Sequence, residues 1–315
     1  MNLKNTLLCL FSLCTILNTN ILFAKEKKGT VSFERLMGDT PWQPKDQKLR
    51  LHDAKFMKEQ YFQGKKQLQQ KPINSIPKKI HFIWLGPKAV SEQSVQNLQS
   101  WKKFHPDWEI NFWTDRERQI PIPDLRMRYL DDFDFEATKA CIDDSNNWAE
   151  KSDLIRMMIL YKEGGIYTDL DVLCLRAFDD FVSHFDFIAG CESMHNLIGL
   201  DSSYIICTGV IISRPGHPII KATIDEALKN WEKIGNQYSG DDKANTFNRV
   251  ILRVFVPFVI YTKKYLGSDG NKDIILPTCY FHGYRAFSDK ELKKLHSKGF
   301  VYAFHQFNNS WIPDI

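Results

Sequence analysis

The chain has 315 residues, 43% of them hydrophobic and 25% charged, with 42 basic against 38 acidic side chains and a net charge of +4. This is the composition of a globular protein. It excludes a disordered chain, a collagen-like repeat and a polytopic membrane protein, since outside the N-terminus no apolar run approaches the roughly 20 residues needed to cross a bilayer.

Residues 1–24 start with a single Lys, continue as an apolar stretch from Leu7 to Phe23 and reach a small residue at Ala24 before Lys25-Glu26-Lys27-Lys28. This reads as an export signal, with an uncleaved short anchor as the alternative. In either case the remainder is expected outside the cytoplasm: secreted, periplasmic or in a secretory-pathway lumen. Residues 25–79 carry 14 Lys and Arg against 6 Asp and Glu, whereas residues 80–315 carry 27 against 32. Residues 25–75 are therefore read as a basic, helical stalk. A membrane-surface contact through its lysines and aromatics is the alternative use. Residues 76–315 form the expected catalytic domain.

The run Ile80–Leu85, ended by Gly86-Pro87, has the continuous apolarity of a strand buried on both faces. A helix follows, capped by Ser91, with Val95, Leu98 and Trp101 along one face and a stop at His105-Pro106. Trp108–Trp113 is the next strand. Strand, helix, strand at this spacing is a βαβ unit, and a parallel sheet takes its ligands at the carboxyl ends of its strands.

Asn147 with Glu150 three residues later resembles a capping box, and Leu154, Met157, Met158 and Tyr161 give the helix an apolar stripe that stops at Gly164-Gly165. The segment Ile166–Leu175 then reads as a strand. Two residues apart in extended backbone, Asp169 and Asp171 point the same way. Like charges held that close repel, and a hard cation such as Mg²⁺ or Mn²⁺ bridging to phosphate oxygens relieves them. Alone, Asp-x-Asp fits a solvated turn equally well. Further on, Gly209–Ser213 is expected as a strand, Gly216-His217-Pro218 as a turn and Ile219–Trp231 as a helix. The apolar stretch Phe247–Tyr265 has no assigned role. The cysteines at 141, 174, 191, 207 and 279 form no CxxC pair, so a zinc site is not expected.

These residues resemble the Asp-x-Asp sugar-binding glycosyltransferases of family 32, which include the yeast initiating α-1,6-mannosyltransferase and are related to clostridial glucosylating toxin domains. The matching segments are IPKKIHFIWLG (76–86), SWKKFHPDWEINFWTD (100–115), AEKSDLIRMMILYKEGGIYTDLDVLCL (149–175), TGVIISRPGHPII (208–220) and HQFNNSW (305–311). The resemblance implies an α/β, Rossmann-like fold of the GT-A nucleotide-sugar transferase type with a mixed, mostly parallel central sheet. It implies a divalent cation, Mn²⁺ or Mg²⁺, and transfer from a UDP- or GDP-sugar to an acceptor hydroxyl with retention at the anomeric carbon.

Residue by residue, the resemblance implies that Trp84 stacks on the nucleobase, with a core Trp as the alternative. Asp153 and Arg156 would hold donor sugar hydroxyls and phosphate; at i, i+3 spacing they would equally make a surface ion pair. Tyr167 and Asp169 match nucleotide positions, Asp169, Asp171 and His305 metal positions, and Ser310 and Trp311 the segment closing over the donor phosphates. His305 is the weakest of these, because the toxin relatives place a carboxylate or a polar group there. Asn308-Asn309-Ser310 is also a glycosylation sequon, and a glycan there would obstruct the site. The acceptor, whether protein, glycan or lipid, is open, and no nucleic acid is expected. An exported non-catalytic binding protein and a metal-dependent phosphohydrolase are the rival readings. No Ser-His-Asp set or HExxH motif supports another hydrolase.

Overall fold

A computed structural model describes residues 31–38, 47–192, 205–283 and 286–308. The leader at 1–24, Ser310 and Trp311 lie outside the described residues. In chain order the helices are α1 (Phe33–Met37), α2 (Gln47–Gln67), α3 (Glu92–Phe104), α4 (Lys139–Asp144), α5 (Trp148–Glu163), α6 (Asp179–Val182), α7 (Pro218–Gln237), α8 (Lys243–Val250), α9 (Val256–Tyr265) and α10 (Asp289–Ser297). The strands are β1 (Lys79–Trp84), β2 (Glu109–Thr114), β3 (Leu125–Tyr129), β4 (Gly165–Thr168), β5 (Val172–Cys174), β6 (Phe187–Cys191), β7 (Ile206–Ser213), β8 (Asp273–Leu276) and β9 (Ala303–His305).

Among the described residues seven strands form one sheet in the order β3-β2-β1-β4-β7-β6-β8. Strands β3, β2, β1 and β4 run parallel, β7 is antiparallel to both β4 and β6, and β8 is parallel to β6. This is the expected α/β architecture with a mixed, mostly parallel sheet. Strand β1 is buried over its four central residues and β7 over all eight, as strands covered on both faces must be. No helix among the described residues is long and apolar enough to cross a membrane.

The local signals hold where they are backbone chemistry. Ser91 Oγ accepts the Ser94 N–H at the start of α3, and Asn147 Oδ1 accepts the Ala149 and Glu150 N–H groups at 2.9 and 3.1 Å at the start of α5. Helix α5 ends at Gly164 (φ 65°), and Gly165 (φ 95°) opens β4. A Cβ on Gly165 would come within 2.6 Å of the Lys79 carbonyl oxygen, so the paired glycines let β4 lie against β1.

Three expectations need correction. The strand read over 166–175 is two short strands in different sheets: β4 pairs with β1 and β7, whereas β5 pairs antiparallel with β9. The chain turns between them, with the Val172 N–H donating to the Asp169 carbonyl at 3.2 Å. Glu150 does not close a capping box. Its carboxylate is buried and held by Arg249 Nε at 2.8 Å, by Arg253 Nη1 and by the Ser145 hydroxyl. Arg253 comes from a π-helical stretch, Ile251–Phe255, and this resolves the unassigned region: the π stretch and α9 pack against α7, and α8 packs against the π stretch and α5.

The basic segment, expected as a stalk, lies on the sheet over its described part. Phe33, Leu36 and Met37 of α1 and Met57 and Tyr61 of α2 are buried. Gln60 of α2 uses both ends of its amide on β8, donating to the Ile275 carbonyl at 2.9 Å and accepting its N–H at 3.1 Å. At the other end of the sheet β3 carries Arg126 and Arg128, paired with Glu109 and Glu163.

Two buried histidines stitch these layers. The His81 ring donates from Nε2 to the Gly164 carbonyl and accepts the Trp113 indole N–H at Nδ1. His105 donates from Nδ1 to the Trp101 carbonyl and accepts the Phe178 N–H at Nε2. Both rings are neutral in this pattern, and burial pushes each down to about 4. The unfolded chain, with ordinary histidines, therefore takes up more protons below about pH 6.5, so stability is full above that pH and is lost as the pH falls towards 4. At pH 5 each ring costs about 2 kcal/mol. Urea unfolding at pH 7.5 and pH 5 is expected to show a drop about 2 kcal/mol smaller in His105→Gln, which cannot take up the proton. An unchanged difference would mean that His105 already titrates normally.

Candidate active site

The turn Asp169-Leu170-Asp171 sits beyond the carboxyl end of β4, one strand from the carboxyl end of β1. It is held from three sides. The Asp169 N–H donates to the Gly209 carbonyl of β7 at 2.9 Å. Asn97 of α3 donates from Nδ2 to the Leu170 carbonyl at 2.9 Å, and the Gln306 N–H, just past β9, donates to the Asp171 carbonyl at 2.9 Å. The two carboxylates thus converge because a tight turn is pinned between neighbouring elements, not because an extended strand alternates.

Asp153 and Arg156 project from one face of α5 into the same region. Their ion pair measures 2.7 Å, and both side chains are at most 10% exposed, so this is not the surface pair that the spacing also allowed. Arg156 also donates to the Thr208 carbonyl at 2.9 Å, approaches Asp169 Oδ1 at 3.5 Å and lies 4.5 Å over the Tyr167 ring. The Tyr167 hydroxyl donates to Asp169 Oδ1 at 2.6 Å. Burial pushes Asp153 up to about 6 even against the neighbouring guanidinium. Asp169 is raised too, first by burial and then by the Asp171 charge.

His305, the last residue of β9, closes the opposite wall. Its Nε2 lies 3.1 Å from Asp171 Oδ1 and 3.9 Å from Asp169 Oδ2. Burial alone would raise Asp171, but the His305 hydrogen bond and charge outweigh it and hold the carboxyl low. Asp171 Oδ2 further accepts the Asn308 N–H at 2.8 Å. Ligand atoms of Asp169, Asp171 and His305 all lie within 4.8 Å of one another. Two carboxylates and an imidazole fit a divalent ion that accepts mixed oxygen and nitrogen ligands, Mn²⁺ in preference to Mg²⁺.

Trp84 ends β1, partly exposed and outside the core, with its indole N–H donating to the Lys88 carbonyl at 2.8 Å. Arg118 ties the same loop through the Gly86 and Lys88 carbonyls. An aromatic absent from the sequence reading stands beside it: Trp148, the first residue of α5, is 41% exposed, and its ring lies against Gly86. Its position one residue after the Asn147 cap was the available signal. Gly209 was read only as the start of a strand and Thr208 only as part of a matching segment, yet they supply the carbonyls that hold Asp169 and Arg156.

The mostly parallel α/β sheet thus gathers an acidic pair, an imidazole and a buried Asp–Arg pair at its strand ends, where such sheets take their ligands. Residues 91–188, which hold Asp153, Arg156, Tyr167, Asp169 and Asp171, match the family described as "Glycosyltransferase sugar-binding region containing DXD motif". The chain is 29% identical over 171 residues to "Subversion of eukaryotic traffic protein A" of Legionella pneumophila subsp. pneumophila, covering 50% of this chain and 26% of that protein. It is 27% identical over 243 residues to an uncharacterized glycosyltransferase of Acanthamoeba polyphaga mimivirus, covering 76% of this chain and 85% of the viral protein. "Inositol phosphoceramide mannosyltransferase 3" of Schizosaccharomyces pombe is 34% identical over 110 residues, 35% of this chain and 28% of the yeast one. The chain thus spans only about a quarter of the Legionella relative.

Proposed function

We propose that the chain is a divalent-metal-dependent glycosyltransferase that moves a hexosyl group from a nucleoside diphosphate sugar to an acceptor hydroxyl with retention. The observation that carries this reading is the convergence of Asp169, Asp171 and His305 within 4.8 Å beside the buried Asp153–Arg156 pair. The sugar-binding region at 91–188 and the relatives named as glycosyltransferase and mannosyltransferase support it.

The reaction breaks the bond between the anomeric carbon and the diphosphate oxygen and forms one to the acceptor oxygen. The electron pair leaves with the diphosphate, and the acceptor proton follows it. A cation held by Asp169, Asp171 and His305 supplies electrostatic stabilisation of that leaving group when bound. Arg156, fixed by Asp153 and the Thr208 carbonyl, presents a charge that needs no reorganisation as the phosphate charge grows. Asp153 is placed to accept hydrogen bonds from sugar hydroxyls. Trp84, at the mouth of β1, is the platform for the base. Ser310 and Trp311 are retained in the proposal as the closing segment.

The deciding experiment incubates the full chain with UDP- and GDP-sugars and Mn²⁺, with and without candidate acceptors, and follows donor consumption. Release of nucleoside diphosphate that depends on metal supports the proposal. No binding or turnover of any nucleotide sugar overturns it. Within that assay Trp84→Ala is expected to weaken donor binding by about one to two powers of ten, the worth of one base stacked on an aromatic ring. Unchanged donor affinity, read by calorimetry, would assign the base to another surface such as Trp148.

A further inference from the structure

Directly inward of the acidic pair, three side chains from distant parts of the chain meet. Cys207 comes from β7, His282 from the segment after β8, and His305 from β9, and one ligand atom of each lies within 4.8 Å of the other two. All three are buried. His282 is 1% exposed, and neither of its ring nitrogens has a hydrogen-bond partner among the described residues. A buried imidazole with both nitrogens unpaired is costly and calls for a partner. Its ring meets that of His305 edge-on, with centroids 5.5 Å apart. The Cys207 sulfur, part of no disulfide, lies 3.9 Å from His305 Nδ1.

We propose that Cys207, His282 and His305 form a second cation site, for a soft divalent ion of the Zn²⁺ class. One thiolate and two imidazoles are ligands that zinc prefers and that Mg²⁺ does not. Tetrahedral bonds of about 2.3 Å to sulfur and 2.0–2.1 Å to nitrogen put those two ligand atoms about 3.5 Å apart. The observed 3.9 Å needs only a small inward shift. Binding forms one metal–sulfur and two metal–nitrogen bonds, and the thiol proton leaves to solvent. No electron transfer is involved.

His305 belongs to both sites through opposite ring nitrogens. Its Nδ1 faces Cys207, and its Nε2 faces Asp171 at 3.1 Å. With a cation on Nδ1, the proton stays on Nε2 and is donated to Asp171, so His305 is withdrawn as a ligand from the outer site. The inner cation therefore acts against the outer one.

Cobalt and zinc titrations of the full chain test the proposal. Co²⁺ is expected to give the near-ultraviolet thiolate-to-metal charge-transfer band, and competition with a chromophoric chelator to show about one equivalent of bound Zn²⁺. Cys207→Ser abolishes the band, and both it and His282→Gln weaken Zn²⁺ binding roughly tenfold or more. Asp171→Asn keeps the cobalt band and weakens Zn²⁺ binding less than Cys207→Ser does, since its carboxylate only accepts the His305 Nε2–H. Circular dichroism reports whether each variant is folded, and the cobalt band of the unmutated chain needs no variant at all. Absence of that band, or Zn²⁺ affinity lost in Asp171→Asn and kept in Cys207→Ser, overturns the inner site.

Discussion

Asp171→Asn is expected to lower turnover of the nucleotide sugar by about two to three powers of ten while leaving the protein folded. The change removes one negative charge and keeps the side-chain volume. An amide oxygen can still accept the Asn308 N–H, and the main-chain bond from Gln306 to the Asp171 carbonyl is untouched. What disappears is half of the acidic pair and the charge that aligns His305 Nε2. If the carboxylates hold the cation that neutralises the leaving diphosphate, the loss falls on the turnover number and on the Mn²⁺ concentration needed for half-maximal rate. Full activity in the variant, or in excess EDTA, would remove the cation from the proposed reaction.

Glu150→Gln is expected to destabilise the fold by about 3–5 kcal/mol with little direct effect on the site. The carboxylate is buried with two guanidiniums on it, Arg249 at 2.8 Å and Arg253. Arg253 is itself buried, lies 4.0 Å over the Trp231 ring and donates to the Trp231 carbonyl. Removing the carboxylate strands that positive charge in the layer between α5, α7 and the π-helical stretch. Breaking one side of a buried pair costs far more than replacing the whole pair with apolar groups. The double variant Glu150→Leu/Arg253→Met should therefore recover much of the loss. Urea unfolding of the single and double variants decides it; a single-variant cost below about 1 kcal/mol would show that the pair is not buried in solution.

What the sequence made legible was local. Ser91, Asn147 and the Gly164-Gly165 pair announce their helix ends because caps and left-handed glycines are backbone chemistry, readable over four residues. The apolar run at Ile80 announces β1 for the same reason. The Asp-x-Asp turn was misread because period-two alternation is identical in one long strand and in two short ones with a turn between. The partner decides, and β9 lies some 130 residues further along the chain. Glu150 was misread because an acid at the third helical position suits a cap and a buried ion pair alike. Its arginines sit on elements that the sequence could not place. The docking of α2 escaped notice because much of it is polar: Gln60 on β8 and Asp53 with Lys263 look like solvated residues until their partners are known. His305 was reached only by resemblance, and the grouping with Cys207 and His282 is a product of topology alone.

The Gln60 amide on β8 bears on how an open sheet is closed at its border. The outermost strand of an open sheet offers a row of unused peptide groups to any passing chain. On one flank β3 answers with Arg126 and Arg128, charges that a second strand could not lie against without losing their partners. On the other flank β8 has no such guard of its own, and a side-chain amide from α2 fills the position that an intruding backbone would take. The α2 part of the basic segment thus covers an edge that would otherwise offer its peptide groups for pairing, and trimming α2 is expected to leave that border bare.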